Sequence, residues 1–138
     1  MEGWQGWPHE RLVYLFLAIA YLAVWVQLTL YHWRGAFRSK AMWGPVIFTP
    51  VASLAALLYV FSRAEWAQSA FVVVFAIAAL EGLMGTALHL KGVASQVGGF
   101  NLRNVTTGPP FVLPIMYMAL AAFGLLVHYW DRIAGGGS

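Results

Sequence analysis

The chain has 138 residues, 61% of them hydrophobic and only 9% charged, with a formal net charge of +3. A soluble domain carries about a quarter charged residues, so a chain this short and apolar lacks the polar surface to cover itself in water and reads as an all-α integral membrane protein. The absence of cysteine excludes disulfides, thiol catalysis and thiolate metal sites. The small basic excess flanks apolar runs, which points to lipid headgroups as partners and away from nucleic acid.

The N-terminal "MEGWQGWPHER" is acidic and aromatic and has no basic n-region, so the apolar run behind it is expected to stay as a permanent helix. Four spans are expected, at 11–33, 45–62, 67–90 and 109–130, in a single up-down bundle over residues 1–134. Each run approaches or exceeds the roughly 20 residues that a crossing needs. Trp4, Trp7, Trp66 and Trp130 fall near one interface and Trp33 and Trp43 near the other, as an aromatic belt requires. Only Trp25 sits inside a span. The last residues, 135–138, read as a flexible tail by composition.

The side holding the termini and the "SRAEWAQ" turn carries Arg11, Arg63 and Arg132 together with Glu2, Glu10, Glu65 and Asp131. The other side carries Arg34, Arg38, Lys40, Lys91 and Arg103 and no acid. By the positive-inside rule, loops 34–44 and 91–108 are expected in the cytoplasm. The termini are then periplasmic, as in a multi-pass protein of a bacterial inner membrane.

The end of the first span and the end of the third share a pattern. "TLYHWRG" (29–35) aligns with "TALHLKG" (86–92), and "GPVIFTP" (44–50) aligns with "GPPFVLP" (108–114), with one gap of about seven residues in the second loop. This suggests two duplicated helical hairpins related by a pseudo-twofold axis along the membrane normal. Thr29 and His32 then share a face, as do Thr86 and His89, while Arg34 and Lys91 point away toward lipid phosphate. Pro45 and Pro109 suit first turns. Pro50 and Pro114 are expected to bend their helices and to free carbonyls that need partners within the membrane.

Polar residues gather toward the basic loops: Gln27, Thr49, Ser53, Glu81 and Tyr117 all lie in that half, Glu81 deepest. A carboxylate so placed costs at least about 3 kcal/mol and must find partners. Gln27, Ser53, Tyr117 or a histidine could donate to it. Ala78, Gly82 and Thr86 form a small-residue row, and Gly85 removes bulk between Glu81 and His89, which fits either a crevice or tight helix contact. His9 and His128 read as interfacial belt residues.

His32 and His89, at equivalent depths on diagonal helices, are candidate ligands for a metal, haem iron above all. Glu81 lies about 12 Å along the axis from His89, too far to share one ion. The loop "VASQVGGFNLRNVTTGPP" is long for a bundle connection and is a candidate lid or docking segment. Nothing resembles a nucleophile triad or a phosphate-binding loop.

The functional expectation is therefore a non-enzymatic membrane subunit or ligand-binding module. Its pocket of Gln27, Thr29, His32, Ser53, Glu81, Thr86, His89 and Tyr117 would take haem b, a quinone or a lipid headgroup, alone, as a homodimer or within a larger membrane complex. A b-type haem electron-transfer subunit using His32 and His89 is the first rival. A small transporter or channel using Glu81 is the second. The position matching Glu81 in the first half is Val24, so the acid is not duplicated.

Overall fold

The computed structural model describes residues 3–135. All regular structure among them is helical: α1 (His9–Arg34), a short 3-10 turn (Lys40–Met42), α2 (Trp43–Phe61), α3 (Glu65–Gln96), α4 (Leu102–Thr107), α5 (Val112–His128) and α6 (Trp130–Ala134). Within the expected tail, residues 136–138 lie outside the described residues, as do Met1 and Glu2.

Three helical segments are long and apolar enough to cross a membrane: α1, the stretch Lys40–Phe61, and α3, with mean hydropathies of 2.0, 1.8 and 2.1. The fourth, α5, is apolar but has 17 residues. It is shorter than the expected 109–130 because Pro109 and Pro110 hold the chain extended, so the helix begins at Val112. At its other end it stops at His128 and the chain turns through Tyr129 into α6.

The third helix departs in the opposite sense. It runs past the expected end at 90 to Gln96, since no proline interrupts "KGVASQ". Gly98 and Gly99, at φ of 89° and 105°, then reverse the chain in a conformation that other residues rarely adopt. The loop beyond them is not structureless. Asn101 accepts a hydrogen bond from the Asn104 backbone N–H at 2.9 Å and caps α4.

The helices α1, α2, α3 and α5 form a closed ring in which each packs on the next and α5 returns to α1. This leaves α1 and α3 on one diagonal. The α3–α5 seam is close, because glycines let backbones meet. A Cβ at Gly82 would stand 2.7 Å from the Met118 backbone nitrogen, and one at Gly85 3.2 Å from Pro114 Cβ. The Gly82–Gly85 stretch is therefore packed contact, not a crevice, since Met118 and Pro114 already occupy the space the absent side chains leave.

The half of the bundle nearer the 62–64 turn is filled with rings. Tyr14 stacks on Tyr59 at 4.6 Å between centroids and Phe71 on Phe75 at 4.1 Å, with Tyr14 edge-on to Phe71 at 5.0 Å. Tyr14, Leu17, Tyr21, Phe71 and Phe75 are completely or almost completely buried. The outward surfaces are just as apolar, with Phe16, Ile19, Ile47, Leu80 and Leu83 each at least half exposed. A helix apolar all round belongs in lipid. The N-terminal segment closes this end: Trp4 Nε1 donates to the Tyr59 carbonyl and Arg11 Nε to the Val60 carbonyl, both at 2.9 Å, satisfying the open end of α2.

The two hairpins differ in register. Ser53 donates to the Ala18 carbonyl at 2.7 Å, which sets α2 against α1. Under the aligned repeat, Ser53 and Ala18 correspond to Tyr117 and Phe75. The residue that meets Phe75 is instead Gly124, two turns further along α5. That offset matches the extra length of the second loop. The partner helices α2 and α5 thus stand at different heights against α1 and α3.

The prolines also part company. Pro50 lies inside α2 and removes the N–H that would bond the Val46 carbonyl, and Trp25 Nε1 donates to that carbonyl at 2.9 Å. Pro114 lies in the first turn of α5, where a missing N–H costs nothing, so the bend expected there is not required.

Candidate functional site

Glu81 approaches α2 at its first turn. A Cβ at Gly44 would come within 3.0 Å of Glu81 Oε1, so the carboxylate rests against bare backbone where α2 begins. The positive end of the helix dipole there favours a negative neighbour. This changes the depth expected for Glu81. Measured against α2 it stands at a helix end, because the 62–64 turn is so short that Gly44 pairs with residues 81–82.

The second carboxylate oxygen accepts from the Tyr117 hydroxyl at 2.9 Å. Tyr117 is buried, and its backbone carbonyl accepts from the Tyr21 hydroxyl at 2.8 Å. Thr49 approaches the Tyr117 oxygen at 3.4 Å, but its hydroxyl donates to the Pro45 carbonyl at 2.5 Å. One hydroxyl holds one proton, so the shorter bond claims it. The cluster therefore draws one side chain from each principal helix: Tyr21 from α1, Thr49 from α2, Glu81 from α3 and Tyr117 from α5. It is a clasp: Tyr117 donates to the carboxylate, and Tyr21 and Thr49 each donate to a backbone carbonyl, so no donor leads onward.

The paired histidines lie beyond it, toward the basic loops. The rings of His32 and His89 have centroids 6.4 Å apart at 67°, so the repeat's expectation that they share a height on diagonal helices corresponds to a contact across the bundle. Nδ1 of His32, Nδ1 of His89 and Oγ1 of Thr29 are buried with no hydrogen-bond partner. Such orphaned polar atoms are uncommon in folded chains and call for a water, an ion or a ligand. Among the described residues no three His, Cys, Asp or Glu side chains gather as a metal cluster.

Several expected members stand elsewhere. Gln27 is exposed on α1 and faces away from the bundle, since Val24 and Leu28 take the inward positions beside it. Thr86 donates back to the Gly82 carbonyl at 2.8 Å within its own helix, which uses its proton locally. Ser53 is spent on the Ala18 carbonyl, well up α1 from Glu81. Arg34 and Lys91 are exposed. His128, read as belt, turns its ring inward so that Nδ1 meets the Tyr59 hydroxyl at 3.1 Å.

Sequence reasoning missed Tyr21 and Gly44. The signals for them were a lone hydroxyl inside "LFLAIAYLAV" and a glycine directly ahead of a helix-starting proline. No family model, no curated protein and no solved structure matches the chain.

Proposed function

We propose that the protein is a non-enzymatic multi-pass membrane subunit of four spans, α5 being the fourth, that holds a small ligand between α1 and α3 at its basic end. Thr29, His32 and His89 contact the ligand, and the Glu81–Tyr117 clasp keeps the helices in place around them. The observation that carries this reading is the set of three buried, unpartnered polar atoms on facing positions of two helices. Two imidazoles and a hydroxyl suit a quinone carbonyl, a lipid headgroup or a metal centre. The basic residues at that end, with no acid among them, favour the cytoplasmic side of a bacterial inner membrane.

The test is the sign of a stability change. With a ligand in place, His32→Leu and His89→Leu lose its contacts and lower the melting temperature of protein purified from native-like membranes, and native mass spectrometry shows the bound mass disappear. If both variants melt higher than the parent and the parent carries no bound mass, nothing occupies the site and the proposal fails, because deleting an orphaned buried polar group then stabilises.

One arrangement favours haem iron as the bound group. Two facing helices each offer one imidazole at this site, with ring centroids 6.4 Å apart, and such a pair would hold a haem iron. At this height α2 has not begun and α5 is only starting, so loops flank the histidines and not helices. Haem would supply one-electron chemistry. A Soret band that persists through purification supports this second reading. Protein that stays colourless through haemin titration rules it out.

A further inference from the structure

At the end of the bundle opposite the histidines, a groove of about 380 Å³ opens between the first turns of α3 and the α5–α6 corner. It exists because α3 and α5 touch as far as Gly124 against Phe75, after which α5 ends and the chain veers into α6. Glu65, Gln68 and Ser69 of α3 and Arg132 of α6 form its polar wall, and Val72 and Val73 continue it into the apolar zone. The α3 members recur at helical spacing and so make one face.

The chemistry of that wall is specific. Among the described residues the side chains of Glu65 and Arg132 have no hydrogen-bond partner, although Arg132 lies 5.6 Å over the Tyr129 ring. Gln68 Nε2 donates to the Arg63 carbonyl at 2.6 Å, which fixes the amide and leaves its oxygen as an acceptor. His128 is held aside by Tyr59 and lines the groove without filling it. Exposed Trp66 and Trp130 flank this level, marking it as headgroup depth.

We propose that this groove binds a zwitterionic glycerophospholipid whose headgroup joins a phosphate diester to a primary ammonium. Arg132 takes the phosphate. Glu65, the Gln68 oxygen and Ser69 accept from the ammonium, and an acyl chain lies along Val72 and Val73. A headgroup with net negative charge meets Glu65 unfavourably, and a quaternary ammonium has no N–H for these acceptors.

The experiment uses the full chain in detergent, titrated by native mass spectrometry with ethanolamine, choline and glycerol phospholipids of identical acyl chains, and with soluble phosphoethanolamine. The ethanolamine lipid is expected to bind at least about fivefold tighter than the other two and than the soluble ester. Arg132→Gln is expected to weaken it by about fivefold. Glu65→Gln is expected to erase the preference over the glycerol lipid. Both variants change exposed side chains, and unchanged melting temperatures confirm that they fold. Equal binding of the three lipids, binding indifferent to both substitutions, or tighter binding of the soluble ester would each overturn the assignment. None of these outcomes depends on the histidine site.

Discussion

Tyr117 serves two partners from opposite ends of the residue: its hydroxyl donates to Glu81 at 2.9 Å and its backbone carbonyl accepts from Tyr21 at 2.8 Å. Tyr117→Phe removes the first bond and keeps the second. It leaves a partly buried carboxylate without its donor, which costs about 1–3 kcal/mol. Tyr21→Phe removes a neutral bond to a carbonyl already paired within its helix and costs about 1 kcal/mol or less. Reversible unfolding in mixed micelles ranks the two. A Tyr117→Phe, Glu81→Gln cycle with no coupling would show that the clasp carries no energy.

Trp25 and Pro50 make a second cycle. The indole satisfies the carbonyl that the proline leaves open. Trp25→Phe is expected to cost about 1–2 kcal/mol in the parent. In a Pro50→Ala background, the restored N–H takes over the Val46 carbonyl and the same change costs measurably less. An identical cost in both backgrounds would mean that Trp25 acts by packing alone.

The α3–α5 seam gives an ordered pair of substitutions. Gly82→Ala drives a Cβ to 2.7 Å from the Met118 backbone, which cannot swing aside, whereas Gly85→Ala meets Pro114 Cβ at 3.2 Å. Overpacking of this kind costs about 1–3 kcal/mol, with Gly82→Ala at the upper end and Gly85→Ala the milder. Melting temperatures of the two variants check the order.

The absence of cysteine makes the crossing number easy to measure. Single cysteines at Gln5, Phe100 and Ala134, probed with a membrane-impermeant maleimide on intact and opened cells, report their sides. Four crossings place Gln5 and Ala134 together and Phe100 opposite. If Ala134 labels with Phe100, α5 does not cross and the chain has three spans.

How far the sequence disclosed this molecule depends on the range of the interaction. The apolar runs marked the principal helices, and the T-x-x-H repeat brought His32 and His89 to one height, because both are local patterns read along a single helix. Pro50 announced an open carbonyl and Trp25 stood out as the lone mid-span indole, yet nothing in the linear order joined them. Their pairing is set by the α1–α2 register. The same limit explains Glu81. Depth counted along its own helix put it far from any end, while the end that matters belongs to α2, reached through a three-residue turn. Gln27 was misplaced by its hydropathy: Val24 and Leu28 hold the inward face and Trp25 the side toward α2, which leaves Gln27 on the outward side.

The unequal helix lengths act on the surrounding lipid. Beyond Glu81, α2 has only the 3-10 turn Lys40–Met42 to offer, while α3 continues for 15 residues, about 22 Å. A bilayer leaflet wrapped around this bundle therefore meets a ledge on one flank and a tall wall on the other. Lipids on the α2 flank must shorten or lean to cover the ledge, at a fraction of a kcal/mol per ångström. In a bilayer, a bundle of this shape would bend the surrounding leaflet unevenly.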